Sequence, residues 1–227
     1  MLFWILLIGS FALSFFAMAR VKSAIGKYSQ VPAVSGLTGA DAARRILTMA
    51  GIDQVDVVCK DGMMGDHYDP IHKRLVLSRE NFTGSSVAAL GVAAHEAGHA
   101  IQDKVGYAPL QWRMASVGMV NFVSPMLYVV PIVAMFGLIP GKLALMAMAV
   151  AFGVMMLFQL ITLPVEFDAS KRAKVILGRT GMISAGPEAQ GVEKVLNAAA
   201  LTYVAAFISS LGWFLYYVLP LIGGSRD

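Results

Sequence analysis

The chain has little cysteine and little charge. One cysteine, Cys59, occurs among 227 residues, so no intrachain disulfide can form and no cluster of thiolates can hold a metal ion. Charged residues make up 14% of the sequence and hydrophobic residues 57%, which excludes an ordinary soluble domain and indicates an integral membrane protein. The net charge of +4 comes with no aromatic-rich basic patch, so we expect no nucleic-acid partner.

Long apolar segments account for much of the hydrophobic content. A helix needs about 20 apolar residues to cross roughly 30 Å of hydrocarbon, and the segments that approach or reach this length are 2–19, 117–139, 143–163 and 199–222. The first could also be a cleaved signal peptide, because Ala17-Met18-Ala19 resembles a cleavage site. However, no basic residue precedes it and its apolar run is long, so we predict a retained anchor.

Basic residues flank these segments mainly on one side of the membrane. They are Arg20, Lys22, Lys27, Lys104, Arg113, Lys171, Arg172, Lys174 and Arg179. By contrast, the short link between the second and third segments has only Lys142. The positive-inside rule therefore predicts that residues 20–116 and 164–198 are cytoplasmic. In a bacterium, the protein would lie in the plasma membrane with its polar part facing the cytoplasm.

The polar part contains one chemically specific pattern, His95-Glu96-Ala97-Gly98-His99. Residues four apart share a helix face, so both imidazoles can reach one metal ion. Glu96 then lies beside the ion, where a carboxylate can accept a proton from water that the metal has acidified. Such a pattern arises by chance in roughly one chain of this length in a few hundred. It therefore needs a surrounding helix, a third ligand and a suitable topology.

Local signals predict a small α+β unit before this motif. Thr38 and Asp41 form the pattern of a capping box, which predicts a helix over 42–50. Residues 55–59 and 74–78 have strand patterns, and the Gly-, Asp- and Met-rich stretch 61–70 between them is typical of a loop. The strand at 74–78 is also a candidate edge for pairing with an extended substrate.

The motif itself is predicted to lie on a helix. Ser85 or Ser86 can cap its start, and the helix is expected to run to about Lys104. Its apolar stretch before the motif covers only about half a membrane span, and charged residues bracket it. We therefore expect this helix to lie near the bilayer surface.

A third ligand is expected, because catalytic zinc usually takes three protein ligands and leaves one position for water. Glu166 is the stronger candidate, at the predicted start of a helix after the third span, where an acid also complements the helix dipole. Asp168 does not share its helix face and is expected to orient an imidazole instead. His67 and His72 remain alternative sources of a ligand.

The predicted topology brings the two parts of the site together. Two spans separate His99 from Glu166, and because this number is even, both residues emerge on the same side of the membrane. The predicted segments are a transmembrane anchor (1–19), a peptidase domain (20–116), a transmembrane hairpin (117–163), a third-ligand segment (164–198) and a C-terminal transmembrane helix (199–222).

These residues resemble known enzymes. The motif, followed after a hairpin by Glu166-Phe167-x-Ala169, resembles the glutamate-ligand zinc peptidases of the HtpX and prenyl-protein protease type. More closely, nearly the whole chain is similar to the YugP-like neutral zinc metallopeptidases of bacterial membranes. The runs that carry this likeness are Asp66-His67-Tyr68-Asp69-Pro70, Leu77-Ser78, Ala94-His95-Glu96-Ala97-Gly98-His99-Ala100-Ile101-Gln102, Pro164-Val165-Glu166-Phe167-Asp168-Ala169-Ser170 and Val195-Leu196-Asn197-Ala198-Ala199-Ala200-Leu201-Thr202-Tyr203.

This resemblance implies Zn²⁺ as cofactor, Glu96 as general base and Glu166 as third ligand. Ser170 departs from the HtpX pattern, which usually has an aspartate at that position, and Asp168 is the candidate to replace it. The expected fold is an α-helical membrane protein of about four transmembrane helices with a small α+β zincin-like peptidase domain.

The expected function is a membrane-anchored zinc metalloendopeptidase acting on peptides or membrane proteins. A second donor to the tetrahedral oxyanion is expected from Tyr203 or His67, with Tyr68 a further candidate. Tyr203 could instead be an interfacial anchor, and His67 could serve only its own loop. The sequence leaves substrate specificity and oligomeric state open.

Two other functions fit part of the pattern. An intramembrane protease would place the motif helix inside the bilayer, with an aspartate ligand such as Asp168, but the polar residues around 86–102 disfavour this. A non-enzymatic metal-binding scaffold would have no need of Glu96, and the spans contain almost no ionisable residues that could line an ion path.

Overall fold

The computed structural model describes residues 1–60 and 65–223. The described residues are mostly helical, with a small three-stranded sheet. In chain order the elements are α1 (Leu2–Tyr28), α2 (Gly39–Met49), β1 (Asp56–Lys60), β2 (His67–Asp69), β3 (Arg74–Ser78), α3 (Arg79–Thr83), α4 (Val87–Lys104), α5 (Ala108–Val123), α6 (Met126–Met135), α7 (Gly141–Arg179) and α8 (Pro187–Gly223).

Four helical stretches within the described ranges are long and apolar enough to cross a membrane. They are α1, α5 together with α6 (Ala108–Met135), α7 and α8. Large apolar side chains cover their outer surfaces, among them Phe15 and Phe122, each 76% exposed. Exposed patches of this kind are unusual for a soluble monomer and mark a membrane or protein contact. The prediction of four membrane-spanning segments is confirmed at this level.

The third and fourth stretches continue far beyond the predicted spans. α7 is one helix of 39 residues, about 58 Å long, against roughly 30 Å for the hydrocarbon core. The expected helix start at Pro164 is therefore wrong, because the helix continues through this proline. Glu166 lies in a helix interior and the dipole argument for it does not apply. The division of the chain into functional segments stays a prediction.

The sheet has the strand order β1-β3-β2, with β1 parallel and β2 antiparallel to β3. Two of its strands match the sequence prediction closely. β2 lies inside the stretch 61–70 that was predicted as a loop, of which residues 61–64 are outside the described part. Because β3 pairs on both sides, the expectation that it is an edge strand is wrong, and β2 is the edge instead.

Helix caps follow the predicted signals. The Thr38 side chain accepts a hydrogen bond from the Asp41 amide, and the Asp41 side chain accepts one from the Thr38 amide. Ser86, rather than Ser85, caps α4 by accepting from the Ala89 amide at 3.2 Å. Each cap satisfies amides that have no partner within the helix.

The core lies between α2, α4, the sheet and the cytoplasmic ends predicted for α7 and α8. It contains buried side chains from each part, including Ile46, Leu77, Leu90, Leu177 and Val192. α4 occupies its centre and is lined with alanines that are almost fully buried. These small side chains let neighbouring helices approach closely, which positions the motif against α7.

Candidate metal centre

Three side chains converge from α4 and α7. One ligand atom each from His95, His99 and Glu166 lies within 4.8 Å of the others. Glu166 Oε2 is 3.2 Å from His95 Nε2 and 3.7 Å from His99 Nε2. Neighbouring ligands of a tetrahedral zinc with bonds of about 2.0–2.1 Å lie about 3.3 Å apart. Two nitrogens and one oxygen at these distances fit a zinc ion.

The two helices approach closely because α4 has a glycine at their crossing. A Cβ atom at Gly98 would lie 2.9 Å from the carbonyl oxygen of Ala169. Gly98 precedes one imidazole ligand, and Ala169 follows Glu166 by almost one helical turn. The glycine in the motif thus sets the distance between the parts of the site.

Gln102 fixes the orientation of the His99 ring. Its Nε2 donates to the Val165 carbonyl and to Asp168 Oδ2, both at 2.8 Å. Since both partners can only accept, the amide oxygen must be the atom that lies 3.0 Å from His99 Nδ1. The His99 Nδ1 therefore carries the proton, and the lone pair of Nε2 faces Glu166, where a metal would bind.

Ser170 has the corresponding position beside the other imidazole. Its Oγ lies 3.2 Å from His95 Nδ1 and can accept a hydrogen bond from the Nδ1–H group. The sequence comparison with HtpX assigned this role to Asp168, but the structure has Ser170 itself at the ring. Asp168 contacts Gln102 and the Arg172 side chain, so it acts on His99 only through Gln102.

Arg113 contacts Glu166, the carboxylate among the three candidate ligands. Its Nη1 donates to Glu166 Oε1 at 2.9 Å, while the other oxygen, Oε2, faces the imidazoles. Glu166 is 2% exposed, and a buried carboxylate needs such a partner. One oxygen is thus held by Arg113 and the other remains available as a ligand.

The electrostatics of the site favour a cation. Burial alone would lower the pKa of His99, but its hydrogen bond to Glu166 and the charges of Glu96 and Glu166 outweigh burial and raise this pKa. A site that favours an added positive charge on a buried imidazole also favours a metal ion. Competition between protons and metal follows, because a ligating imidazole must be neutral.

The site opens into a cavity of about 210 Å³. Glu96 lines it beside the three candidate ligands but is not one of them. Polar and apolar side chains both line it, and most of the apolar ones come from α5 and α7. Apart from these four residues, the lining consists of Asp66, His67, Tyr68, Pro70, Leu110, Arg113, Met114, Val117, Phe158 and Tyr203.

The three candidate oxyanion donors all line this cavity but differ in their hydrogen bonds. Tyr68 donates its hydroxyl proton to Asp103 at 2.7 Å; burial and this acid raise its pKa. His67 Nδ1 lies 2.9 Å from the Gly65 carbonyl. Since a carbonyl only accepts, Nδ1 bears the proton and the neutral ring has no proton on Nε2. Tyr203 faces both this cavity and an adjoining one of about 140 Å³.

The alternative ligands lie elsewhere. His72 is bound to Asp69 at 2.8 Å and its side chain is 64% exposed. Neither His67 nor His72 belongs to the metal-binding group found among the described residues. Asp168, the aspartate suggested as a ligand under the intramembrane hypothesis, is hydrogen-bonded to Gln102 and Arg172 instead.

Sequence reasoning missed several residues of the site. Gln102 was noted only within a motif run, and Arg113 only as a topology signal. Asp66 was likewise unassigned; it faces the cavity and accepts hydrogen bonds from the Ser78 amide and the Asn81 side chain, each at 2.7 Å. The spacing of Gln102, three residues after His99, could have placed it on the same helix face.

Comparison with known proteins agrees with this site. The chain belongs to the family described as "Putative neutral zinc metallopeptidase", whose model matches residues 3–221. It is 45% identical to "Putative membrane protease YugP" of Bacillus subtilis (strain 168) over 228 residues, covering 100% of this chain and 99% of that protein. No solved structure matches the chain.

Proposed function

We propose that the chain is a membrane-anchored zinc metalloendopeptidase with a zincin-like site, in which His95, His99 and Glu166 hold the zinc ion. The observation that carries this proposal is the orientation of both imidazoles. Each Nδ1 has its own partner and each Nε2 faces the same carboxylate oxygen. The family assignment supports the choice of zinc.

Glu96 is the proposed general base. It follows the first ligand on α4 and faces the same cavity without belonging to the ligand group. When bound, zinc lowers the pKa of water to about 7 and polarises a carbonyl. Glu96 then takes the proton of the attacking water and passes it to the leaving amine. Its position on the cavity wall supports both transfers.

Tyr203 is the proposed donor to the tetrahedral oxyanion, with His67 as second candidate. Tyr203 faces both the main and the adjoining cavity, so its hydroxyl can reach a substrate carbonyl there. His67 could donate from Nε2 only in its doubly protonated form, because its neutral ring has the proton on Nδ1. The Tyr203 hydroxyl also interacts with the Glu166 side chain, which places it beside the proposed ligands.

The proposed substrate is an extended polypeptide, either a peptide or a segment of a membrane protein. β2 is the edge strand beside the cavity, because its residues His67 and Tyr68 also line the cavity. An extended chain could add to this edge through backbone hydrogen bonds. The apolar wall of Met114, Val117 and Phe158 would then favour an apolar side chain near the scissile bond.

The proposed location is the bacterial plasma membrane, with the site facing the cytoplasm. The four long apolar helices and the name of the Bacillus relative support a membrane protein. The distribution of lysine and arginine supports the orientation. The lipid bilayer is thus the expected environment of α1, α5–α8.

The test is zinc-dependent cleavage of an unstructured polypeptide by the purified full-length protein. Glu96→Gln should retain stoichiometric zinc and lower kcat by at least about 10³-fold, because the base is lost while the ligands remain. Zinc content is measured by elemental analysis and cleavage by mass spectrometry of the products.

Glu193→Gln is a matched control, since Glu193 is exposed and its contact is with Lys174 at 3.8 Å, away from the cavity. It should retain activity. Full activity of Glu96→Gln would refute the assigned base. Failure of the unsubstituted, zinc-loaded protein to cleave any substrate in a broad peptide library would favour the non-enzymatic scaffold.

A further inference from the structure

A second cavity, of about 530 Å³, lies between α1 and α8. It shares no lining residue with the cavity of the metal centre. Its volume falls in the range of small-molecule sites. Neither the metal chemistry nor the proposed peptide binding uses it.

One face of each helix lines this cavity. α1 contributes Arg20, Ser23 and Lys27, and α8 contributes Lys194 and Asn197. Ala24 on α1 and Ala198 and Leu201 on α8 also line the cavity. On each helix these positions have the spacing i, i+3, i+4, i+7. Such spacing forms a continuous stripe along a helix. The cavity is thus a groove between two facing stripes.

The groove is strongly basic. Three cationic side chains line it, and none of its lining residues is acidic. Within the described part of the chain, Arg20, Lys27 and Lys194 form none of the ion pairs found. The Lys27 ammonium lies 5.5 Å from the centre of the Tyr28 ring. The neighbouring acid, Glu193, faces Lys174 instead.

The groove lies where both helices meet the predicted membrane surface. α1 and α8 are antiparallel, because Phe3 contacts Trp213 with ring centroids 5.4 Å apart, while Tyr28 lies against Gly191 at the other end. The first predicted span ends at residue 19 and the last begins at residue 199. The first limit falls directly before Arg20, and the second falls between Ala198 and Leu201.

We propose that this groove binds the phosphate headgroup of an anionic phospholipid. The cations and the Asn197 amide would bind the phosphate diester, Ser23 would donate to a headgroup oxygen, and Leu201 would contact the start of the acyl chains. Basic pockets between helices at the cytoplasmic surface are suited to anionic headgroups. A soluble phosphate ester has the same charge chemistry, but the position of the groove at the predicted membrane surface and Leu201 at its end favour the lipid.

The experiment titrates the full-length protein in neutral detergent with dioleoylphosphatidylglycerol or dioleoylphosphatidylcholine and counts bound lipid by native mass spectrometry. We expect preferential binding of one phosphatidylglycerol. Arg20→Gln and Lys194→Gln should each weaken it about fivefold. Lys22→Gln is the matched control, because Lys22 lies on the same helix but outside the groove, and it should leave binding unchanged.

Two outcomes would overturn the proposal. Equal weakening by Lys22→Gln would indicate diffuse surface attraction without a site. Displacement of the lipid by equimolar inorganic phosphate, with phosphate bound in its place, would indicate a soluble ligand. Thermal unfolding and zinc content report that each variant is folded, so a failure here is distinguishable from a failure of the peptidase proposal.

Discussion

At the scale of single residues, Gln102 connects the two halves of the metal centre. It contacts an imidazole on α4 and a backbone carbonyl and a carboxylate on α7. It is 0% exposed. Because its nitrogen faces two acceptors and its oxygen faces the imidazole, a flipped amide would lose these hydrogen bonds, and the side chain adopts one orientation. The side chain therefore determines which nitrogen of His99 faces the candidate metal position.

Gln102→Ala should weaken zinc binding by about 10–100-fold, the usual effect of removing a group that orients a metal ligand. It should also cost about 1–3 kcal/mol of stability, because the Val165 carbonyl loses its donor. Competition with a chromophoric chelator measures the affinity. Gln111→Ala, at an exposed position on α5, is the matched control; an equal loss there would contradict the assignment.

Arg113 provides a second test at this scale. Arg113→Ala should weaken zinc binding about tenfold, since Glu166 Oε1 loses its donor and the carboxylate is no longer held. Arg113→Lys keeps the charge and one possible donor, so its loss should be smaller. Isothermal titration with zinc compares the three proteins. Unchanged affinity in Arg113→Ala would leave this residue as a topology signal only.

At the scale of elements, the crossing of α4 and α7 sets the geometry of the site. Gly98→Ala would place a Cβ 2.9 Å from the Ala169 backbone, so α7 must shift. We expect a loss of about 1–3 kcal/mol despite the higher helix propensity of alanine, together with weaker zinc binding as the ligands separate.

Gly91→Ala is a control on the same helix. The atoms nearest to its added Cβ would be those of Val192, at 3.6 Å or more, which is an ordinary contact. This variant should keep its zinc affinity and gain slightly in stability through helix propensity. Thermal unfolding and chelator competition compare both variants. Equal behaviour of the two would show that the helix crossing does not constrain the site.

The sequence predicted elements well where the signal was local. The capping box at Thr38, the strand at Arg74–Ser78 and the extent of α4 are all confirmed. β2 was missed because three residues amid glycines and acids have no detectable alternation, and it forms only by pairing with β3. The continuation of α7 through Pro164 was missed because a proline after an apolar run usually indicates a helix boundary.

The same limit applies to the site. The three candidate ligands could be anticipated, because the spacing of the histidines and the even number of spans before Glu166 can both be read from the sequence. The described residues bring the three side chains together. Among the partners of these ligands, only Gln102 has a spacing that indicates its ligand, because it lies three residues after His99 on the same helix. Ser170 and Arg113 reach the ligands through the packing of α4, α5 and α7, and no single-sequence pattern encodes that packing.

At the scale of the whole molecule, the orientation in the membrane is testable with the lone cysteine removed. In a Cys59→Ser background, Lys142→Cys should react with a membrane-impermeant maleimide on intact cells. Arg45→Cys, on the exposed face of α2, should react only after permeabilisation. This follows from the excess of basic residues around 20–27 and 171–179. The reverse pattern would place the site outside the cytoplasm.

The unbroken length of α7 has a mechanical consequence. The helix begins at the turn of the predicted transmembrane hairpin and continues without a break to Glu166. The His95 imidazole, on α4, comes 71 residues earlier in the chain. An ion bound by residues of α4 and α7 would cross-link these two helices and thereby connect the predicted hairpin to the core. A tilt or an axial shift of the hairpin in the bilayer would then change the distances between Glu166 and the two imidazoles.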